Sequence, residues 1–107
     1  MAKEQRPDEP LRLEKVLQAL GDPVRLAIVR RLAREGECSC AALDGGRPKS
    51  SMSHHFKVLR EAGLLRTRGQ GTTHMNALCR AEVEAAFPGL LAAVTRGAQD
   101  GEPPAPP

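Results

Sequence analysis

The sequence predicts a mainly α-helical fold with one small β-hairpin, about five helices in a single domain. Three observations carry that prediction. Apolar residues recur at three- and four-residue spacing in three separate stretches, each closed by a glycine: Gly21, Gly36 and Gly63. Two short strand-like stretches, Leu64-Leu-Arg-Thr-Arg68 and Thr72-Thr-His-Met-Asn-Ala-Leu78, flank the glycine-containing turn Gly69-Gln70-Gly71. The 107 residues suffice for one modest core and leave no room for a separate catalytic domain.

Residues 1–10 are polar and hold Pro7 and Pro10, while residues 97–107 end in a proline-rich run. Neither can bury a core face, so both read as disordered, and the folded domain spans 11–96. The first helix carries Leu13, Val16, Leu17 and Leu20 on one side and stops at Gly21. Asp22 then offers a capping carboxylate, and Pro23 fits the first helical position, where its missing N–H costs nothing. Val24, Leu26, Ala27, Val29, Leu32 and Ala33 form the expected buried stripe of a second helix ending near Glu35. Residues 36–43 read as a turn and a short third helix, with Ala42 and Leu43 as its core contacts and Gly45-Gly46 as its stop.

A fourth helix follows Arg47-Pro48. Met52, Phe56 and Leu59 stand at i, i+4 and i+7 and mark its inner face. At about 100° per residue, the opposite face presents Ser50, His54, Lys57 and Glu61, flanked by Ser51 and Ser53. This row of small hydrogen-bonding groups with one cation suits a groove. The hairpin comes next, and from Arg80 the chain returns to a helix that is interrupted at Pro88-Gly89 and resumes through Leu90, Leu91 and Val94. A short helix, a turn and a longer helix with a polar outer face make a helix-turn-helix, whose second member enters the major groove; the hairpin makes it winged. The apolar first and last helices expose more surface than so small a domain can cover, which points to a homodimer joined through them.

Charge follows the same partition. The net charge is only +3, but Arg47–Arg80 holds seven basic residues against Glu61 alone, whereas the rest of the chain holds nine basic and twelve acidic residues. One basic segment on a neutral-to-acidic body is the pattern of a phosphate-contacting surface. With two Phe and neither Tyr nor Trp, the chain has little to stack on unpaired bases, so duplex DNA is favoured over RNA. No phosphate-cradling loop or nucleophile elbow is present, and His54 and His55 point about 100° apart, so no enzyme is expected.

The segments Ala19-Leu-Gly-Asp-Pro-Val-Arg-Leu26, Ser51-Met-Ser-His-His-Phe-Lys-Val-Leu-Arg-Glu-Ala-Gly-Leu64 and Arg68-Gly-Gln-Gly71 resemble the ArsR/SmtB family of bacterial repressors. The resemblance extends over about residues 11–95. It implies that Lys49, Ser50, Ser51, Ser53 and His54 face DNA, that the wing approaches the adjacent backbone or minor groove, and that Lys57, Arg66 and Arg68 supply charge to phosphates. It also implies repression rather than activation, on a palindromic operator. Independently, hydroxyls and imidazole can meet base edges while Lys and Arg position the protein. Capping remains an alternative role for one or two of the serines, and for His55 a structural role is favoured. The sequence departs from the family at Pro48, where a capping Ser or Thr is usual.

Cys38-Ser-Cys40 falls where metal- and arsenic-sensing relatives carry paired cysteines. Thiolates two residues apart can converge on one soft ion. The further nearby cysteine of the arsenic pattern is missing, since Ala41, Ala42 and Leu43 follow, and only Cys79 remains. No histidine follows Arg80 to build a zinc site in the last helix. Two readings stay open: small thiols filling the core, or a site for a transition-metal or thiophilic ion, or for oxidation, completed by Cys79 or a histidine. No cofactor is required for the fold. The odd number of cysteines, the lack of a secretory signal and the lack of a membrane span place the chain in the cytoplasm. Two alternatives to an autonomous regulator are a winged-helix protein-interaction module and a DNA-binding subunit whose sensing a partner protein supplies.

Overall fold

The computed structural model describes residues 11–96; the arm 1–10 and the tail 97–107 lie outside the described residues. Six helices and three strands follow one another: α1 (Leu13–Leu20), α2 (Pro23–Glu35), β1 (Cys38–Ser39), α3 (Cys40–Asp44), α4 (Lys49–Glu61), β2 (Leu65–Gln70), β3 (Thr73–Leu78), α5 (Arg80–Ala86) and α6 (Leu90–Arg96). Among the described residues, no helix is long and apolar enough to cross a membrane.

Local chemistry sets the boundaries. The Asp22 carboxylate accepts from the N–H groups of Val24 at 2.9 Å and Arg25 at 3.1 Å, so α2 starts at Pro23 as expected. Those bonds, above all the one from Arg25, hold the Asp22 carboxyl below the usual carboxylate range despite partial burial. Gly63, at φ 86°, ends α4 by letting the Leu64 N–H return to the Leu59 carbonyl at 3.1 Å. Arginines satisfy carbonyls near helix ends that would otherwise lack partners. Arg25 Nε donates to Ala19 O at 2.7 Å, Arg80 Nη2 to Ala33 O at 2.7 Å, Arg31 Nη1 to Ala42 O at 2.7 Å and Arg30 Nε to Val94 O at 2.9 Å. These bonds fasten α1, α3, α5 and α6 around α2.

The core lies where α1, α2, α4 and the sheet converge. Val16, Val29, Leu32, Met52, Leu59, Leu64 and Val83 are fully enclosed. Each buried Leu or Val of this kind contributes roughly 1.5–3 kcal/mol relative to exposure. Ile28, absent from the expected stripe of α2, is buried, whereas Ala27 is exposed. Ala42 is likewise exposed; Leu43 is the buried anchor of α3, with the half-buried Cys40 packed against the core beside it. A helix of five residues has one inward face, which Cys40 and Leu43 share at i and i+3 and which the residue next to Leu43 cannot join.

The sheet also differs from the expected two-stranded hairpin. It has three antiparallel strands in the order β1-β3-β2, with Cys38 opposite Asn76 and Ser39 opposite Met75. Residues 38–39, expected in a turn, form the edge strand that leads directly into α3. The hairpin turn is shorter than expected. Gly69 pairs with His74 and Gln70 with Thr73, leaving a two-residue loop, Gly71-Thr72, with Gly71 at φ 66°. Leu13 and Leu17 of α1 remain 44% and 50% exposed.

Candidate nucleic-acid interface

Helix α4 separates its residues by chemistry. Met52, Phe56 and Leu59 are buried, while Lys49, Ser50, Ser51, Ser53, His54 and Lys57 are all exposed. The side chains of Ser50, Ser53 and His54 have no hydrogen-bond partner among the described residues. Ser51 donates to Pro48 O at 3.3 Å, a local bond different from the capping role left open above. It binds a carbonyl and caps no N–H. Pro48 occupies the N-cap and offers no side-chain bond, so α4 begins at Lys49 with its first N–H groups uncapped.

The back of α4 is held in place by a polar cluster. His55 Nδ1 lies 3.3 Å from Arg25 Nη1 and 3.9 Å from Asp22 Oδ2, joining α4 to the start of α2. The structural role favoured for His55 is the one it occupies. Arg25, through its bonds to Ala19 O and Gln18 O, extends the cluster to α1.

The hairpin is organised differently. Arg68 donates from Nε and Nη2 to the two Glu37 carboxylate oxygens at 3.0 and 2.8 Å. The paired guanidinium holds the Glu37 carboxyl below its ordinary range. Arg66 Nη1 lies 3.3 Å from Glu82 Oε2 on α5. Both arginines that the sequence assigns to phosphates are therefore engaged by carboxylates, although both remain exposed. Arg80 is occupied by the Ala33 carbonyl, and Lys57 lies 3.9 Å from Glu61 Oε2. Within the basic segment, Arg47, Lys49 and Arg60 have no carboxylate partner among the described residues. Arg60 was not singled out by the sequence reading, yet it lies seven residues after Ser53, on the same flank of the helix. The hairpin tip adds a group of exposed donors and acceptors, Gln70, Thr72, Thr73 and His74, which the sequence reading also missed.

The cysteines do not gather into one site. Cys38 is buried in β1 with its thiol 3.7 Å from Glu35 Oε1, and burial pushes that thiol up. Cys79 is buried beyond β3 and raised by burial as well. Cys40, half-buried at the start of α3, accepts from Asn76 Nδ2 at 3.3 Å. No group of three or more His, Cys, Asp or Glu residues able to hold a metal ion occurs among the described residues. Neither Cys79 nor a histidine completes a shell with Cys38 and Cys40 in this arrangement. The donor set for an ion at α3 is thus the two thiols, to which a third donor would have to be added.

Comparison with known proteins agrees with this architecture. Residues 20–68 match a family model described as a helix-turn-helix domain. The chain is 39% identical to the HTH-type transcriptional regulator MJ1325 of Methanocaldococcus jannaschii, over 53% of this chain and 66% of that protein. It is 38% identical to the HTH-type transcriptional regulator YceK of Bacillus subtilis, over 78% of this chain and 86% of that protein. It is 46% identical to the arsenical resistance operon repressor of Escherichia coli, over 58% of this chain and about half (52%) of the repressor. Among solved structures, the ArsR family transcriptional regulator RHA00566 is 31% identical with a TM-score of 0.63, over 68% of this chain and 81% of that one. The transcriptional repressor BigR from Xylella fastidiosa is 33% identical with a TM-score of 0.62, over 77% and 81%. The order of helices, the sheet and the exposed face of α4, together with these similarities, show that the chain belongs to the ArsR family of winged helix-turn-helix transcriptional regulators.

Proposed function

We propose that the chain is a cytoplasmic repressor that binds a palindromic duplex operator as a homodimer, with α4 in the major groove. One observation carries the reading: α4 buries one face in the core and leaves the other, with its uncapped start, almost free of intramolecular partners. Ser50, Ser53 and His54 are placed to meet base edges, and Ser51 shares that end of the helix. Lys49, Lys57 and Arg60 supply positioning charge along it, and the uncapped N–H groups favour a phosphate oxygen. The wing flanks the groove with the hydrogen-bonding side chains of its tip, while Arg66 and Arg68 reach phosphate only by sharing or leaving their carboxylates. Leu13 and Leu17, exposed on α1, and the half-buried Leu90 and Val94 of α6 are the surface that a second copy covers.

Cys38 and Cys40 are the residues through which a thiophilic ion would act, a reading favoured by the similarity to an arsenical resistance repressor. A sensory partner protein is the alternative source of the signal. The test is to footprint the promoter upstream of the chain's own gene with purified protein, over a range of salt, with and without arsenite or zinc. Protection of a palindrome that weakens steeply with salt supports the repressor reading. Protection that arsenite or zinc then abolishes assigns the signal. Absence of any protected duplex would contradict the DNA-binding role and favour a protein-interaction module.

A further inference from the structure

Asn76 is a fully buried polar side chain in the middle strand of the sheet, and no other polar residue among those described is buried. It stands opposite Thr67 of β2 on one side and opposite Cys38 of β1 on the other. Its Oδ1 accepts from Thr67 Oγ1 at 2.7 Å. Its Nδ2 faces two acceptors, the Cys38 carbonyl and the Cys40 sulfur, both at 3.3 Å. One amide therefore ties both wing strands to the edge strand and to the first residue of the helix-turn-helix. A buried amide that loses an acceptor cannot turn to water, so its neighbours must shift to restore the bond.

Of the three sulfurs, only that of Cys40 is both half-exposed and held by this amide. A group added to it would take the space and lone pairs that now face Asn76. We propose that Asn76 is a positioning residue that couples the state of the Cys40 sulfur to the wing, so that a soft ion or an electrophile on that sulfur loosens the wing against α3 and α4. The effect on DNA rests on the repressor reading above; the coupling itself does not. Glu37, which grips Arg68 from the residue preceding β1, moves with the same segment and transmits the displacement to the wing's outer strand.

The test uses the full chain and iodoacetamide, whose iodide the Cys40 thiolate displaces, with the adduct located by peptide mass spectrometry. Without DNA, amide hydrogen exchange is followed in β2 and β3; with the footprinted duplex, affinity is measured. Cys40 is expected to react before Cys38 and Cys79, and its adduct to speed exchange across the hairpin by about tenfold, with a comparable loss of operator affinity. In Asn76→Leu, exchange in the hairpin is expected to be fast already, and the adduct to change it by less than about twofold. If that variant fails to fold, Thr67→Val, which removes the partner of Oδ1, takes its place. First reaction at Cys38 or Cys79, an unchanged hairpin in the alkylated wild type, or the same acceleration in wild type and variant would each overturn the proposal. A hairpin that responds in a chain that binds no duplex would uphold the coupling and remove the repressor reading.

Discussion

Helix α4 and the wing both lie in the basic segment of the chain, and they treat their polar side chains in opposite ways. On α4, Ser50, Ser53 and His54 have no partner among the described residues, and Lys49 and Arg60 have no carboxylate. In the wing, Arg66 and Arg68 are held by Glu82 and Glu37. Two arginines in the wing thus bring much less free positive charge than their number suggests. The outer face of the helix is left without partners, and the arginines of the wing are fastened to the body. The difference shows that local charge density identifies a surface, while the availability of each charge depends on partners far away in sequence.

The comparison can be broken or sharpened by substitution. The largest effect is expected from the inner face of α4. Leu59→Ala should cost about 2–5 kcal/mol of stability, because its fully buried side chain would leave a cavity between α4 and the sheet. A thermal or urea melt measures this. On the outer face, Ser50→Ala combined with His54→Ala should leave the melt unchanged within about 0.5 kcal/mol. The same pair should weaken operator binding by about 2–4 kcal/mol, at roughly 1–3 kcal/mol per good base contact. Equal loss of stability and binding would mean that the face is structural.

Behind α4, Asp22→Ala should destabilise the fold by about 0.5–2 kcal/mol, as expected for loss of a helix cap. Because the Asp22 carboxyl is lowered in the folded chain, its contribution is fully present above the ordinary carboxylate range and is lost as pH falls through the lowered value. Wild type and variant should therefore converge in stability under acid, which melts at several pH values will show. The smallest effect belongs to the wing. Glu37→Gln should release Arg68 and steepen the salt dependence of binding to any duplex by about one phosphate contact, with little change in stability. An unchanged slope would mean that Arg68 stays away from DNA even when free.

Much of this arrangement is legible in the sequence because its causes are local. Asp22-Pro23 starts a helix, Gly63 ends one, and Met52, Phe56 and Leu59 mark an inner face by spacing alone. The face of Ser50, His54 and Lys57 follows from the same geometry, as does Arg60, which a complete reading of the helix flanks would have included. What the sequence hides is non-local. Strand β1 is two residues long and exists only because Asn76, 38 positions later, pairs with Cys38. The ion pairs of Arg66 and Arg68 reach across 16 and 31 positions. Asn76 looks like an ordinary turn-prone residue in a hairpin, and only the third strand buries it. The sequence places the turn at Gly69-Gln70-Gly71 because its two glycines are equivalent there, and only the strand register selects Gly71.

The most direct measurement is an NMR titration of labelled protein with the footprinted operator duplex. Shift changes should concentrate at Ser50, Ser53, His54 and Lys57 and at the hairpin tip from Gln70 to His74, with Met52, Phe56 and Leu59 little affected. A titration in which the duplex binds but the outer face of α4 keeps its shifts, while another surface responds, would contradict the account.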